Sequence, residues 1–201
     1  MNPTELWAGK FGSDYTGRNQ VNFHRRVPFW RMIHEECGDN VYLEVGCNAG
    51  WNLKALREVH KHNSEFAAGA CEVNKDAIWQ CNSGESAFDV REVAAIDLER
   101  EFGQNAAEMV FSVGVLIHIP PEDIDAVAKA MVECASRHVL VVEYYSPEER
   151  EVEYRGEMGL LWKRPWDQVI AKAGGSLVLR GELGEADGFD PNGVTYFLFE
   201  V

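Results

Sequence analysis

Along the chain, short runs of β-branched and small apolar residues alternate with stretches whose apolar positions recur at helical spacing. The run Val41 to Val45 breaks into Gly46-Cys47-Asn48-Ala49-Gly50, and Trp51 to Arg57 follows with Trp51 and Ala55 on one face. That order predicts a strand, a tight glycine turn and a helix. Phe66 to Glu72 predicts a second strand, with a helix over Asn74 to Gln80. Val90 to Ile96, ending at Asp97, predicts a third strand, and Met109 to Val115 a fourth. The Pro120-Pro121 pair then sets up a helix running to about Arg137. His138 to Tyr144 predicts a fifth, strongly apolar strand. The tail predicts a helix over Trp166 to Ala173 and strands over Ser176 to Arg180 and Thr195 to Val201. No helix separates these last two strands, so they are expected to pair antiparallel. The α/β expectation is a seven-stranded, mostly parallel sheet with an antiparallel last strand.

The front of the chain departs from this alternation. Val21 to Glu36 predicts a helix bent or interrupted at Pro28. Residues 1–20 mix Trp7, Phe11 and Tyr15 with three glycines, a composition suited to a lid over a ligand. Residues 1–38 are therefore expected to form an N-terminal lid and helix within the same domain as 39–201. At 201 residues the chain suits one such domain with a substantial core.

Charge narrows the partners. The formal net charge is −14, yet residues 1–31 carry an excess of basic side chains (Lys10, Arg18, Arg25, Arg26, Arg31 against Glu5 and Asp14). The acidic body would repel a phosphate backbone, so a nucleic-acid partner is not expected. A small substrate met by the basic front is. The five cysteines (Cys37, Cys47, Cys71, Cys81, Cys134) show no Cys-x-x-Cys spacing, which predicts reduced thiols in a cytoplasmic protein. Neither a signal peptide nor a membrane span is expected. His24, His34, His60, His62 and His138 show no ligand spacing, and no metal is expected.

The turn after the first strand lies where ligands bind in open α/β sheets. A dinucleotide fingerprint needs Gly-x-Gly-x-x-Gly, and Asn48 and Trp51 occupy its second and last glycine positions. Glu44 followed by Gly46-Cys47-Asn48-Ala49-Gly50 instead resembles motif I of class I S-adenosylmethionine-dependent methyltransferases; a turn that only connects strand to helix is the plain alternative. Glu72 ends the second strand, where a carboxylate accepts from two vicinal ribose hydroxyls, although it also suits the N-terminal end of the following helix.

Further blocks sharpen the resemblance. Phe11 to Asn19, Gly114 to Ile119, Glu143-Tyr144-Tyr145, Tyr154-Arg155-Gly156 and Lys163-Arg164 together resemble the pseudaminic-acid-biosynthesis-associated methylases over nearly the whole chain. The Gly181 to Gly193 loop departs from that pattern. The resemblance implies a Rossmann-like class I methyltransferase fold and S-adenosyl-L-methionine as cofactor. It further implies transfer to O or N of a small anionic metabolite, such as a nonulosonic acid sugar or its precursor. Glu44, Gly46, Cys47, Asn48 and Gly50 would border methionine and ribose, with Glu72 on the ribose and Val73, Ala95 and Ile96 beside the adenine. Val113 would flank the sulfonium, and Tyr15 and Arg18 are candidates for the methionine carboxylate.

For the acceptor, His118 is the candidate general base, because it follows the fourth strand at the ligand edge. Flanked by Ile117 and Ile119, it equally suits a buried core histidine. Glu143, Tyr144, Tyr145 and Arg155 are candidates for acceptor binding, while Lys163 and Arg164 read as solvated charges. Two other functions compete: nicotinamide-dependent redox chemistry, and a protein that binds the cofactor without transferring anything.

Overall fold

A computed structural model describes residues 3–83 and 88–201. Two short helices open the chain, α1 (Pro3–Ala8) and α2 (Lys10–Arg18), followed by a 3-10 turn (Phe23–Arg26) and α3 (Val27–Cys37). Pro28 does not bend this helix. It occupies the first turn, where the missing N–H would have had no intrahelical partner. Gly38 closes the helix at φ +69°, and the chain enters β1 (Val41–Val45).

Strands and helices then alternate: α4 (Trp51–Val59), β2 (Ala67–Glu72), α5 (Lys75–Asn82), β3 (Asp89–Glu92), α6 (Leu98–Phe102), β4 (Ala107–Val113), α7 (Ile124–Cys134) and β5 (Ala135–Glu143), of which only the short α6 has no counterpart in the predicted pattern. A two-stranded ribbon of β6 (Arg150–Glu151) and β7 (Trp162–Lys163) precedes α8 (Trp166–Ala173), β8 (Ser176–Leu183) and β9 (Val194–Glu200). The seven-stranded sheet has the order β3-β2-β1-β4-β5-β9-β8. Its first five strands are parallel, and β9 inserts antiparallel between β5 and β8.

Side chains alternate between two covered faces. Tyr42, Met109, Phe111, Leu140 and Val142 face α3, α4 and α5, while Leu43, Val45, Val110, Val139 and Val141 face α7 and α8. Burial on both sides explains why these strands read as continuous apolar runs. All five cysteines are free and buried. Among the described residues no helix is long and apolar enough to cross a membrane.

Several predicted boundaries move by a few residues, among them the ends of β4, β5 and β8, and two shifts have a plain cause. The third strand ends at Glu92, and Ala95–Asp97 form a 3-10 turn, because β3 is an edge strand that leaves the sheet once past Glu72. The helix predicted to reach Arg137 stops at Cys134, since Ala135 already pairs with Ala107 of β4.

The parallel strands share one direction, so their carboxyl ends line a single edge. At the opposite edge the buried carboxylate of Asp39 joins the start of β1 to that of β5. It accepts from Arg137 Nη1 at 2.5 Å and Nδ1 of His138 at 2.6 Å. Cys37 adds a third potential metal-ligand atom there, all within 4.8 Å of one another. The carboxylate is already committed to Arg137 and His138, so we read the cluster as a structural tie.

Nearby, His60 is 4% exposed, stacks on Phe66 and bonds the Tyr42 hydroxyl at 3.1 Å. Burial, reinforced by His34, lowers its pKa from 6.5 to about 4. The unfolded chain therefore binds this proton first, and stability falls as pH drops from 6.5 towards 4, by about 3 kcal/mol at most. His60→Gln removes that dependence. Urea titrations should show the stability advantage of wild type over the variant shrinking between pH 7 and pH 4; a constant gap contradicts the assignment.

Candidate active site

The carboxyl edge carries a cleft with two connected arms. The first, with about 830 Å³ of free space including its mouth, lies between α1, α2 and the tips of β1, β2 and β4. The second, about 1410 Å³, opens between the 3-10 turn at Phe23–Arg26, the 188–191 loop and the ends of β4 and β5. Tyr15, Gly46, Asn48, Val113, Gly114 and His118 line both.

The turn after β1 is built on left-handed backbone. Gly46 and Gly50 both have φ +73°, and a Cβ at Gly46 would lie 2.6 Å from Val115 Cγ2. Asn48, where motif I more often has glycine, is also left-handed at φ +47°. Asparagine is one of the few residues that tolerate this conformation, and here its side chain stabilises it. Its Oδ1 accepts the Ala49 amide at 2.7 Å, and its Nδ2 donates to Thr16 Oγ1 at 3.0 Å.

Glu72 gathers the edge. Its Oε2 accepts the Asn48 amide at 2.8 Å, and its Oε1 accepts those of Val73 and Asn74 at 2.8 and 2.9 Å. Burial raises its pKa, while the three amides pull it down. Fixed at the wall of the first arm, the carboxylate retains lone pairs for a ligand's hydroxyls. Val73, Val93, Ala95 and Ile119 supply apolar surface beside it.

The second arm is polar. Arg26 Nη1 donates to Asn52 Oδ1 at 2.8 Å, and Asn52 Nδ2 donates to Glu44 Oε1 at 2.6 Å. Arg26 Nε also donates to the Gly188 carbonyl. Glu44 is 1% exposed, and its Oε2 has no hydrogen-bond partner among the described residues. Burial holds its pKa well above the usual carboxylate range. A buried oxygen at a cleft wall can pair with a donor on a ligand. Tyr144, with Asp190 beside it, forms another wall.

His118 sits where the arms meet. Its ring lies 4.6 Å from that of Trp7 and 5.2 Å from that of Tyr154. Nδ1 is 2.6 Å from the Leu160 carbonyl, which only accepts, so Nδ1 carries the proton and Nε2 keeps its lone pair. Burial lowers the pKa from 6.5 to about 4, against the Leu160 bond.

A buried frame holds this histidine. Glu143 Oε1 accepts from the amides of Val115 and Leu116 and from Ser112 Oγ. Burial pushes its pKa up to about 7. Arg164, expected as a solvated charge, is instead fully buried. It donates to the carbonyls of Leu116 and Ile119 at 3.0 and 2.8 Å and to Glu149 at 2.6 Å, clamping the turn that bears His118.

The cleft brings together most of the residues singled out from sequence. Glu72, Val73 and Ala95 line the first arm, Glu44, Cys47, Tyr144 and Arg155 the second, and Tyr15, Gly46, Asn48, Val113 and His118 both. Five lie elsewhere. Arg18 is exposed at the end of α2, Ile96 is 47% exposed, Gly50 packs on Cys81, and Glu143 is buried behind the His118 turn. Tyr145 packs on Phe197 and Arg180. Sequence reasoning missed Trp7, Arg26, Asn52, Asn74 and Asp190 as lining residues. Two of these had a signal: Arg26 in the basic excess at the front of the chain, and Trp7 in the aromatic, glycine-punctuated segment expected to form a lid.

No family model and no curated protein matches the sequence, so the finer methylase resemblance rests on the motifs alone. Solved structures do match the fold. The Burkholderia thailandensis 1,6-didemethyltoxoflavin-N1-methyltransferase, with bound 1,6-didemethyltoxoflavin and S-adenosylhomocysteine, superposes at TM-score 0.73 and 12% identity, over 100% of this chain and 90% of its own. The sugar N-methyltransferase from a Streptoalloteichus species gives 0.67 and 16%, over 96% and 93%. The Synechocystis magnesium protoporphyrin IX methyltransferase with bound S-adenosylmethionine gives 0.66 and 13%, over 100% and 97%. The architecture of this chain is that of the class I S-adenosylmethionine-dependent methyltransferase fold.

Proposed function

We propose that the protein is an S-adenosylmethionine-dependent methyltransferase acting on the O or N of a small, anionic, polar metabolite in the cytoplasm. The observation that carries this reading is the Glu72 carboxylate, immobilised by three amides at the apolar first arm. The residues fit the cofactor. Glu72 would accept from the ribose hydroxyls, with Val73 and Ala95 against the adenine. A methionine ammonium at Glu44 Oε2 would offset the desolvation and draw that carboxyl into its ionised, accepting form, and Arg26 would face the methionine carboxylate in place of the exposed Arg18. Structures with bound cofactor among the similar folds support the same assignment.

When bound, the cofactor supplies a methyl group already activated by a cationic sulfur. The protein's task is then alignment and proton management. His118 presents an unprotonated Nε2 at the junction of the arms, able to take a proton from an acceptor O–H or N–H. Arg155 favours an anionic acceptor. It stands at φ +55° in the tight turn Tyr154–Glu157 at the cleft wall, with no salt-bridge partner among the described residues. A nonulosonic acid sugar or its precursor has the required carboxylate and hydroxyls, and the motif resemblance points to that class.

Calorimetry tests the cofactor. S-adenosylhomocysteine should bind and NAD should not, and Glu72→Ala should weaken S-adenosylhomocysteine about a hundredfold through loss of charge-assisted bonds to two hydroxyls. Binding of NAD alone would sink the reading.

Label transfer from the cofactor to candidate acidic sugars tests turnover and excludes a protein that only binds. His118→Ala should keep cofactor affinity and lower kcat about a hundredfold. Because this histidine charges only near pH 4, the wild-type profile should show no acidic limb near 6.5. A limb there that disappears in the variant would assign His118 a different protonation state from the one described.

A further inference from the structure

One side chain gathers several of the hydrogen bonds between the lid, formed by α1 and α2, and the tip of β2. Asn74, at the tip beyond β2, is 3% exposed and serves two elements at once. Its Oδ1 accepts the Ala77 amide at 3.1 Å and so caps α5. Its Nδ2 lies 3.0 Å from the Trp7 carbonyl, 3.1 Å from that of Gly9 and 3.3 Å from that of Ala8. Ser13 Oγ stands at 3.3 Å.

Carbonyls only accept, so the amide cannot be turned round without losing the lid. Two of these carbonyls belong to the last turn of α1, where helix geometry leaves them without intrahelical partners. Gly12 makes the approach possible: a Cβ there would stand 1.9 Å from the Trp7 carbonyl oxygen and 2.8 Å from Asn74 Nδ2. A second tie, from Asn48 Nδ2 to Thr16 Oγ1, is a single bond.

The lid residues Pro3, Thr4, Trp7, Gly12 and Tyr15 line the first arm, so a nucleoside seated there lies beneath them. The Asn74 backbone N–H also bonds Glu72, placing the fastening two residues from the ribose-binding group. The geometry points to Asn74 as a latch, a positioning residue that keeps the lid closed over the adenosine half of the cofactor and sets its rate of release. This inference rests on the adenosine reading of the first arm.

Two variants separate the latch from the cap. Asn74→Asp keeps an acceptor for the Ala77 amide but turns a carboxylate towards three carbonyls. Gly12→Ala sets a Cβ against the Trp7 carbonyl and Asn74 Nδ2, pushing the lid away on the donor side while the Asn74 Oδ1 cap of the Ala77 amide keeps its chemistry. Stopped-flow chase of bound S-adenosylhomocysteine and limited trypsin digestion of the ligand-free protein at Lys10 and Arg18 read the effect. Both variants should release S-adenosylhomocysteine about tenfold faster or more, the loss of one or two net hydrogen bonds, and be cut faster at the lid. Wild-type release rates and wild-type protection in both variants would overturn the latch. Should the wild type itself fail to bind S-adenosylhomocysteine, the adenosine reading fails. Proteolysis then decides the latch alone: faster cleavage in both variants supports it and unchanged cleavage overturns it.

Discussion

One carboxylate organises the ligand edge of this protein. Glu72 draws the amide of Asn48 from the turn after β1 and those of Val73 and Asn74 from the turn after β2 onto its two oxygens. The β1–β2 register ends at Val45 and Cys71, so the carboxylate joins the two strand tips beyond the last paired residues. Asn74, placed by that bond, caps α5 and grips the lid. Removing the acid would unfasten three elements together, and the three amides offset the desolvation that raises the pKa of this half-buried carboxylate. Its remaining lone pairs face a wall of small apolar side chains, an arrangement suited to a sugar edge beside a flat base.

The second arm follows a different logic. Its histidine is held by side chains that do not line the cleft. Glu143 takes the amides at the start of the His118 turn, and Arg164 takes the carbonyls of Leu116 and Ile119 on either side. Packed between Trp7 and Tyr154, the imidazole is kept neutral by desolvation. A neutral ring at physiological pH is a competent though weak base, which suits an acceptor that needs little activation.

The sheet was legible because both of its faces are covered, so every central strand appears as an apolar run between helical spacings. Edges were less so. β3 loses its partner after Glu92, and no local pattern marks where pairing stops. Among the site residues, those near strand ends, such as Gly46 and Glu72, were readable because topology fixes where such ends lie. Arg26 and Asp190 come from a turn and a loop brought together only by tertiary packing, with Gly188 close against Arg25. Arg18 and Arg26 are basic residues of the same segment, and only the path of the chain decides which turns inward. Arg164 read as a surface charge since burial of a guanidinium depends on carbonyl partners 45 and 48 positions away.

A crystal structure of the protein soaked with S-adenosylhomocysteine addresses the central claim most directly. The account predicts the ribose hydroxyls within hydrogen-bond distance of the Glu72 oxygens, the adenine beneath Trp7, and the amino-acid tail between Glu44 and Arg26. A nucleoside bound elsewhere, or a Glu72 carboxylate turned away from the sugar, would contradict it.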